Sequence, residues 1–182
     1  RTAVRTIAWA EDEVRLSMSD DELVVDAAIL AVPLAVAREM RFEPPLPAWK
    51  LQTWERAGFG QAAKLHIPLT TSAPPGAVQS VPEKFWTWTA RDGSGAVQPV
   101  LHGFSGSGPA LAALGVEDGA ARWAARAAAL RPELSLDLDR AMATSWADDP
   151  WAREAYTALT VDVGPDDDEL LRRPVGALHF AG

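Results

Sequence analysis

Hydrophobic periodicity predicts a mixed α and β chain jointed at a Pro-rich segment near residues 43–47. Three observations carry this: short apolar runs with strand alternation, a few stretches with helical spacing, and no repeat or low-complexity tract. Val4 to Ile7 and Val14 to Met18 read as strands, and in the second Val14, Leu16 and Met18 face one way while Arg15 and Ser17 face the other. Ser19-Asp20-Asp21-Glu22 makes a turn. Ala27 to Val32 is apolar on both faces, which predicts a central strand, and Pro33 ends it. Glu43-Pro44-Pro45-Leu46-Pro47 is a rigid connector, because each Pro fixes φ and biases its predecessor away from helix. Ala48 to Arg56 reads as a helix closed by Gly58 and Gly60. Ala62 to Leu69 is a strand, followed by a loop to Gly76. Phe85 to Thr89 and Val97 to Gly103 are strands joined by the turn Arg91-Asp92-Gly93-Ser94-Gly95. Val116 to Leu130 is an Ala-rich helix with Arg122, Arg126 and Arg131 at helical spacing. Asp139 to Trp146 reads as a strand. Gly164-Pro165-Asp166-Asp167-Asp168-Glu169 opens a short helix with acids in its first turn, and Ala177 to Phe180 is a last strand.

Composition limits the function classes. The 182 residues suit one large domain or parts of two, and 48% hydrophobic residues with eight Trp predict a substantial core. The net charge of −8, with no basic run, argues against nucleic acid or an anionic membrane surface as partner. The absence of Cys excludes disulfides, thiol nucleophiles and Cys-based metal sites. The apolar run from Ala27 to Ala37 is interrupted by Pro33 and is shorter than the roughly 20 residues of a membrane span. The chain opens on Arg1 rather than Met, so the lack of a signal peptide in it decides little; a cytoplasmic location is the expectation.

Most single motifs read as ordinary structure. Gly106-Ser107-Gly108 follows a strand and precedes a helix, but Leu111 stands where a dinucleotide loop needs its third Gly. Gly103-Phe104-Ser105-Gly106-Ser107 lacks the closing Gly of a nucleophile elbow. A serine hydrolase built on Ser105 or Ser107 with His102 or His179 is therefore the weakest of the alternatives. Asp148-Asp149 and Asp166-Asp167-Asp168 read as solvated loops and a helix start. His66, His102 and His179 lie on separate strands without metal-ligand spacing, so each is expected at a core edge and no metal is expected.

An ordered series carries more. Asp26 to Val32 ends in Pro33; Phe42-Glu43-Pro44-Pro45-Leu46-Pro47 and Lys50 follow; then come Gly58-Phe59-Gly60 with Lys64, Phe85-Trp86, Trp146, Asp149-Pro150, Tyr156 and Leu178-His179-Phe180-Ala181-Gly182. This series resembles the flavin-containing amine oxidases, the family of monoamine, polyamine and L-amino-acid oxidases, over nearly the whole chain.

The resemblance implies two interleaved domains. A substrate-binding domain with a mixed sheet and covering helices would span residues 53–148, flanked by pieces of a Rossmann-like FAD-binding domain at 1–52 and 149–182. The family's N-terminal glycine fingerprint has no counterpart here, and its closing Glu would follow Gly182, so the expectation is a fragment, inactive alone, whose partner is the missing N-terminal half. Four positions carry over. Val4 matches the Val whose backbone meets the adenine part of FAD. Lys64 matches the Lys that holds a water near the reactive flavin nitrogen. Trp146 matches the Trp packed beside the flavin ring, and Tyr156 a wall of the aromatic cage around the amine. Ala155 replaces the Cys that tethers flavin in covalent relatives, so FAD is expected to be non-covalent. Glu154 stands where many relatives have Gly. The implied reaction oxidises a C–N bond of a small-molecule amine to an imine, with oxygen reduced to hydrogen peroxide. The rival reading is a non-catalytic flavoprotein-like binding domain. The oligomeric state is not legible.

Overall fold

A computed structural model describes residues 2–158, 160–162, 164 and 166–181. Arg1, Pro165 and Gly182, named above at the chain start, a helix start and the closing motif, lie outside the described residues. The chain divides into two compact units, Arg1–Phe59 with Pro150–Gly182, and Gly60–Asp149. The boundary that the resemblance sets at 52/53 falls inside a helix, Ala48–Arg56, whose Trp54 is buried in the core of the first unit.

In the first unit, β1 (Thr6–Trp9), β2 (Val14–Ser17), β3 (Glu22–Val25) and β5 (Arg41–Glu43) form a sheet in the order β3-β2-β1-β5. Its β1–β5 pair is parallel and the others antiparallel. The Ser19–Glu22 turn is short because β3 begins at Glu22 itself. The expected central strand is β4 (Ala28–Leu30), and it departs from expectation. Among the described residues it pairs only with β13 (Leu178–Phe180), in parallel, and Ile29 is 70% exposed. Sequence hydrophobicity reports what a strand can bury, and here only one side of it is covered. The short helix α1 (Leu34–Ala37) follows Pro33.

Helix α2 (Ala48–Arg56) matches its expected span and starts directly after Pro47, which has no N–H to leave unpaired. Phe42, Trp54 and Phe180 meet edge to face at centroid distances of 6.0 and 5.8 Å. Lys50 is fully buried and donates from Nζ to the carbonyls of Leu170, Leu171 and Arg173 at 2.9, 3.0 and 2.6 Å. Those carbonyls end α5 (Asp167–Arg172), so a lysine on one helix caps another. The ammonium also lies 3.9 Å from the Phe180 ring centroid, within cation–π range. Burial, and then the charge of Arg173, push its pKa down to about 8, so it still carries its proton at neutral pH. At the other end of α5, Asp167 pairs with Arg56 and accepts from Gly164 N at 2.7 Å.

The second unit is one five-stranded sheet with helices on one face. Its strands are β7 (Ala63–Pro68), β8 (Gly76–Ser80), β9 (Phe85–Arg91), β10 (Val97–Ser105) and β11 (Met142–Ser145), in the order β11-β7-β10-β9-β8. All four pairings are antiparallel, so the parallel pairs of this chain lie in the first unit. Leu65, Ile67, Phe85 and Leu101 pack from the sheet onto Leu111, Leu114 and Trp123 of helices α3 (Gly108–Leu114) and α4 (Ala121–Leu130). The helix expected after Gly106-Ser107-Gly108 is α3, capped at its start by Ser107 Oγ accepting from Ala110 N. One helical expectation changes. The helix expected over 116–130 is a 3-10 turn, Val116–Asp118, then α4. Gly115 at φ 68° ends α3, and Gly119 at φ 108° takes a conformation closed to other residues, so the Ala-rich pattern cannot run through it. Likewise the strand expected at 139–146 begins as a 3-10 turn, Leu138–Arg140, and becomes β11 only at Met142.

Candidate functional site

Two surfaces carry the residues singled out by the sequence. In the first unit a cleft of about 410 Å3 is lined by Pro33, Leu34, Trp54, Glu154, Tyr156 and Phe180 among others. Tyr156 opens β12 (Tyr156–Ala158), which pairs with β6 (Gly58–Gly60), and is 47% exposed. The carboxylate of Glu154 is buried beside it. Its Oε1 accepts from the backbone N of Ala35 at 3.0 Å and its Oε2 from Thr157 Oγ1 at 3.4 Å. Glu154 thus ties the Tyr156 strand to the 33–37 turn across the cleft lining. The left-handed backbone that a Gly would favour falls one residue earlier, on Arg153 at φ 59°, whose guanidinium pairs with Glu39. Glu154 is therefore a side chain with its own structural work at the position where the resemblance leads one to expect Gly.

Val4 is half-buried and packs against the core of this unit, away from the cleft lining.

In the second unit the sheet face opposite the helices is laid out by strand register. One row runs Thr144, Lys64, Phe104, Trp86 and Gln79 across five strands; the next runs Met142, His66, His102, Trp88 and Ala77. Trp86 and Phe104 lie 4.5 Å apart between centroids, and Trp88 stacks on His102 at 5.4 Å and 23°. His66 Nδ1 and His102 Nδ1 are 3.0 Å apart, so one ring donates and the other accepts. His66 and His102 stand half-buried on separate strands, as expected, and the register of those strands brings their rings together. Lys64 is exposed on this face. Trp146 follows β11 and is 48% exposed. Lys64 and Trp146 thus belong to the second unit, and Val4 and Tyr156 to the first.

The serine hydrolase reading finds no support. Ser105 is buried on the helix side of the sheet, opposite to His102, and donates to Lys84 O at 3.0 Å; Ser107 is occupied as the cap of α3. Among the described residues no group of three or more His, Asp or Glu could hold a metal ion. No described helix is long and apolar enough to cross a membrane.

The first unit's cleft fits part of a flavin. Trp54, Tyr156, Phe180 and Pro33 offer flat apolar walls suited to a planar aromatic ring, while Arg172 is the only cation among the described lining residues. A pyrophosphate would need donors from elsewhere.

Comparison with known proteins agrees with this chemistry. The family model described as flavin containing amine oxidoreductase matches residues 1–182. Lysine-specific histone demethylase 1 homolog 3 of Arabidopsis thaliana is 27% identical over 200 residues, covering 95% of this chain and 12% of that protein. Histone demethylase-like protein A of Aspergillus fumigatus is 26% identical over 220 residues, covering 98% of this chain and 18% of that protein. In structure the chain is similar to the cyclohexylamine oxidase of Brevibacterium oxydans, with TM-score 0.79 and 22% identity, and to a putrescine oxidase bound to putrescine, with TM-score 0.78 and 23% identity. Each of those two comparisons covers 99% of this chain and 42% of the other. The chain therefore spans less than half the length of the relatives it matches.

Proposed function

The chain belongs to the flavin-containing amine oxidoreductase family, and from that premise we propose that its full-length protein oxidises the C–N bond of a small-molecule amine to an imine. When bound, a flavin would supply the two-electron acceptor for that oxidation, with oxygen as the final acceptor and hydrogen peroxide as the product. The observation that carries the reading is Tyr156, which the family match covers and which lines an aromatic cleft together with Trp54 and Phe180.

In this reading Tyr156 shapes the amine site. Its ring excludes water and favours the neutral amine, whose lone pair the reaction needs. Glu154 and Thr157 hold the strand that presents the ring. Trp146 would flank the flavin ring, Val4 would meet the adenine end through its backbone, and Lys64 would hold a water near the reacting atoms. Ala155 leaves no thiol for a tether, which supports non-covalent FAD. The names of the relatives span cyclohexylamine, putrescine and histone lysine, so a C–N bond of an amine is the shared element.

The test is a panel of amines, from alkylamines and diamines to amino acids and methylated lysine peptide, supplied to the purified full-length protein with peroxide as readout. Peroxide release with at least one amine, abolished without flavin, is expected. Flavin-replete protein inert to the whole panel would instead favour the non-catalytic binding domain.

A further inference from the structure

The row Met142, His66, His102, Trp88 crosses the open face of the second unit's sheet next to the row that carries Lys64. Its two imidazoles meet Nδ1 to Nδ1 at 3.0 Å. Two ring nitrogens at that distance hold one proton between them; two would set N–H against N–H. The outer nitrogen of His102, Nε2, is buried without a hydrogen-bond partner among the described residues. A charged pair must therefore either strand an N–H at His102 Nε2 or break the bridge, and both are costly. The stacked Trp88 ring holds His102 in place. Across the neighbouring strands the facing side chains are Met142, Thr144, Phe104, Trp86, Ala77 and Gln79, all uncharged, and Lys64 is the cation whose field reaches both rings. Burial and that lysine act in the same direction, holding both rings neutral.

We propose that His66 and His102 act as one proton-sharing couple whose uncharged form is needed for an amine to bind on this face, so that they determine how binding falls off in acid. This rests on the proposed function, in which Lys64 on this face lies near the reacting atoms. A further proton adds a second positive charge beside Lys64, where it opposes an amine that arrives as ammonium, and either strands an N–H at His102 Nε2 or opens the bridge beside the aromatic row.

Two readouts on full-length holoprotein separate the couple from its role. With 13C-labelled histidine, NMR should show the two rings titrating together below the ordinary histidine range, and His66→Gln should release His102 from that coupling. Two independent titrations at ordinary values would overturn the couple itself. For the role, ammonium deprotonation alone gives log kcat/KM a slope of about one with pH; a second required deprotonation makes it about two below the couple's titration. The extra limb should reside in KM, leave flavin reduction at saturating amine unchanged, and be absent from His66→Gln and His102→Gln. Should His102→Gln fail to fold, His66→Gln reads the same limb. A slope of about two retained in a folded variant, or a wild-type slope of about one throughout, overturns the role. Protein that oxidises no amine at any pH overturns the reading beneath it, and the NMR result still stands alone.

Discussion

At the scale of single residues, Tyr156 and Lys64 make opposite predictions. Tyr156→Phe keeps the aromatic face and should cost little, whereas Tyr156→Ala should slow flavin reduction with flavin content near full. Trp146→Ala should instead lower flavin retention. If both residues were only filling space, both Ala variants would lose activity in proportion to folded protein; melts, flavin content and reduction kinetics on the same samples decide this. Lys64→Met removes a positive charge placed near the reacting atoms and should slow reoxidation by oxygen by about 10²-fold, more than it slows reduction. Stopped-flow measurement of the two half-reactions reads it, and equal, small effects would return Lys64 to the surface. The histidine couple also predicts a stability profile. Both rings have folded-state pKa values below the ordinary 6.5, from burial and then from neighbouring charge. The unfolded chain thus binds more protons below about 6.5, so the stability from neutral rings is present above that pH and is lost as pH falls further. Urea unfolding across that range should show the decline in wild type and a shallower one in His66→Gln/His102→Gln. Nothing local in the sequence announced this couple. The β9–β10 hairpin makes the Trp88–His102 pairing legible in principle, but β7 and β10 are joined by register over long separation, and only the fold brings His66 to His102.

At the scale of elements, helix α2 and strands β7, β9, β10 and β13 were legible because each is bounded by Pro, Gly or a turn cluster. Strands β3 and β8 were not. Their residues are mostly exposed, so they lack the apolar alternation of a half-buried strand and are ordered by pairing with β2 and β9. The split of the 116–130 helix was concealed by good helix formers on both sides of Gly119. In the sequence Lys50 is only one member of an ordered series; its role follows from the carbonyls at the end of α5 that it meets in the fold. Lys50→Met keeps the length of the side chain and leaves the carbonyls of Leu170, Leu171 and Arg173 without their donor. At roughly 1–3 kcal/mol for a stranded buried acceptor, the variant should melt several degrees lower. Because those carbonyls lead into β13 and Phe180, the loss should appear first as disorder in the cleft wall, read as faster amide exchange over 170–181. Unchanged exchange there would mean that α5 holds itself.

At the scale of the whole chain, two units each have their own core, one around Trp54 and Leu178, the other around Leu65 and Trp123. The aromatic cleft and the lysine-bearing sheet face fall in different units, so neither unit by itself holds all four residues carried over from the family. The cleft also offers little to hold a pyrophosphate. The 182-residue chain alone should therefore purify colourless, and a yellow preparation with stoichiometric flavin would show that it needs nothing more. Anaerobic titration of the full-length protein with an amine, while the visible spectrum is recorded, tests whether it is an amine-oxidising flavoprotein. An oxidised flavin spectrum that bleaches with amine and returns when air is admitted, with peroxide formed, is expected. A spectrum without flavin, or a flavin band that no amine bleaches, would contradict it.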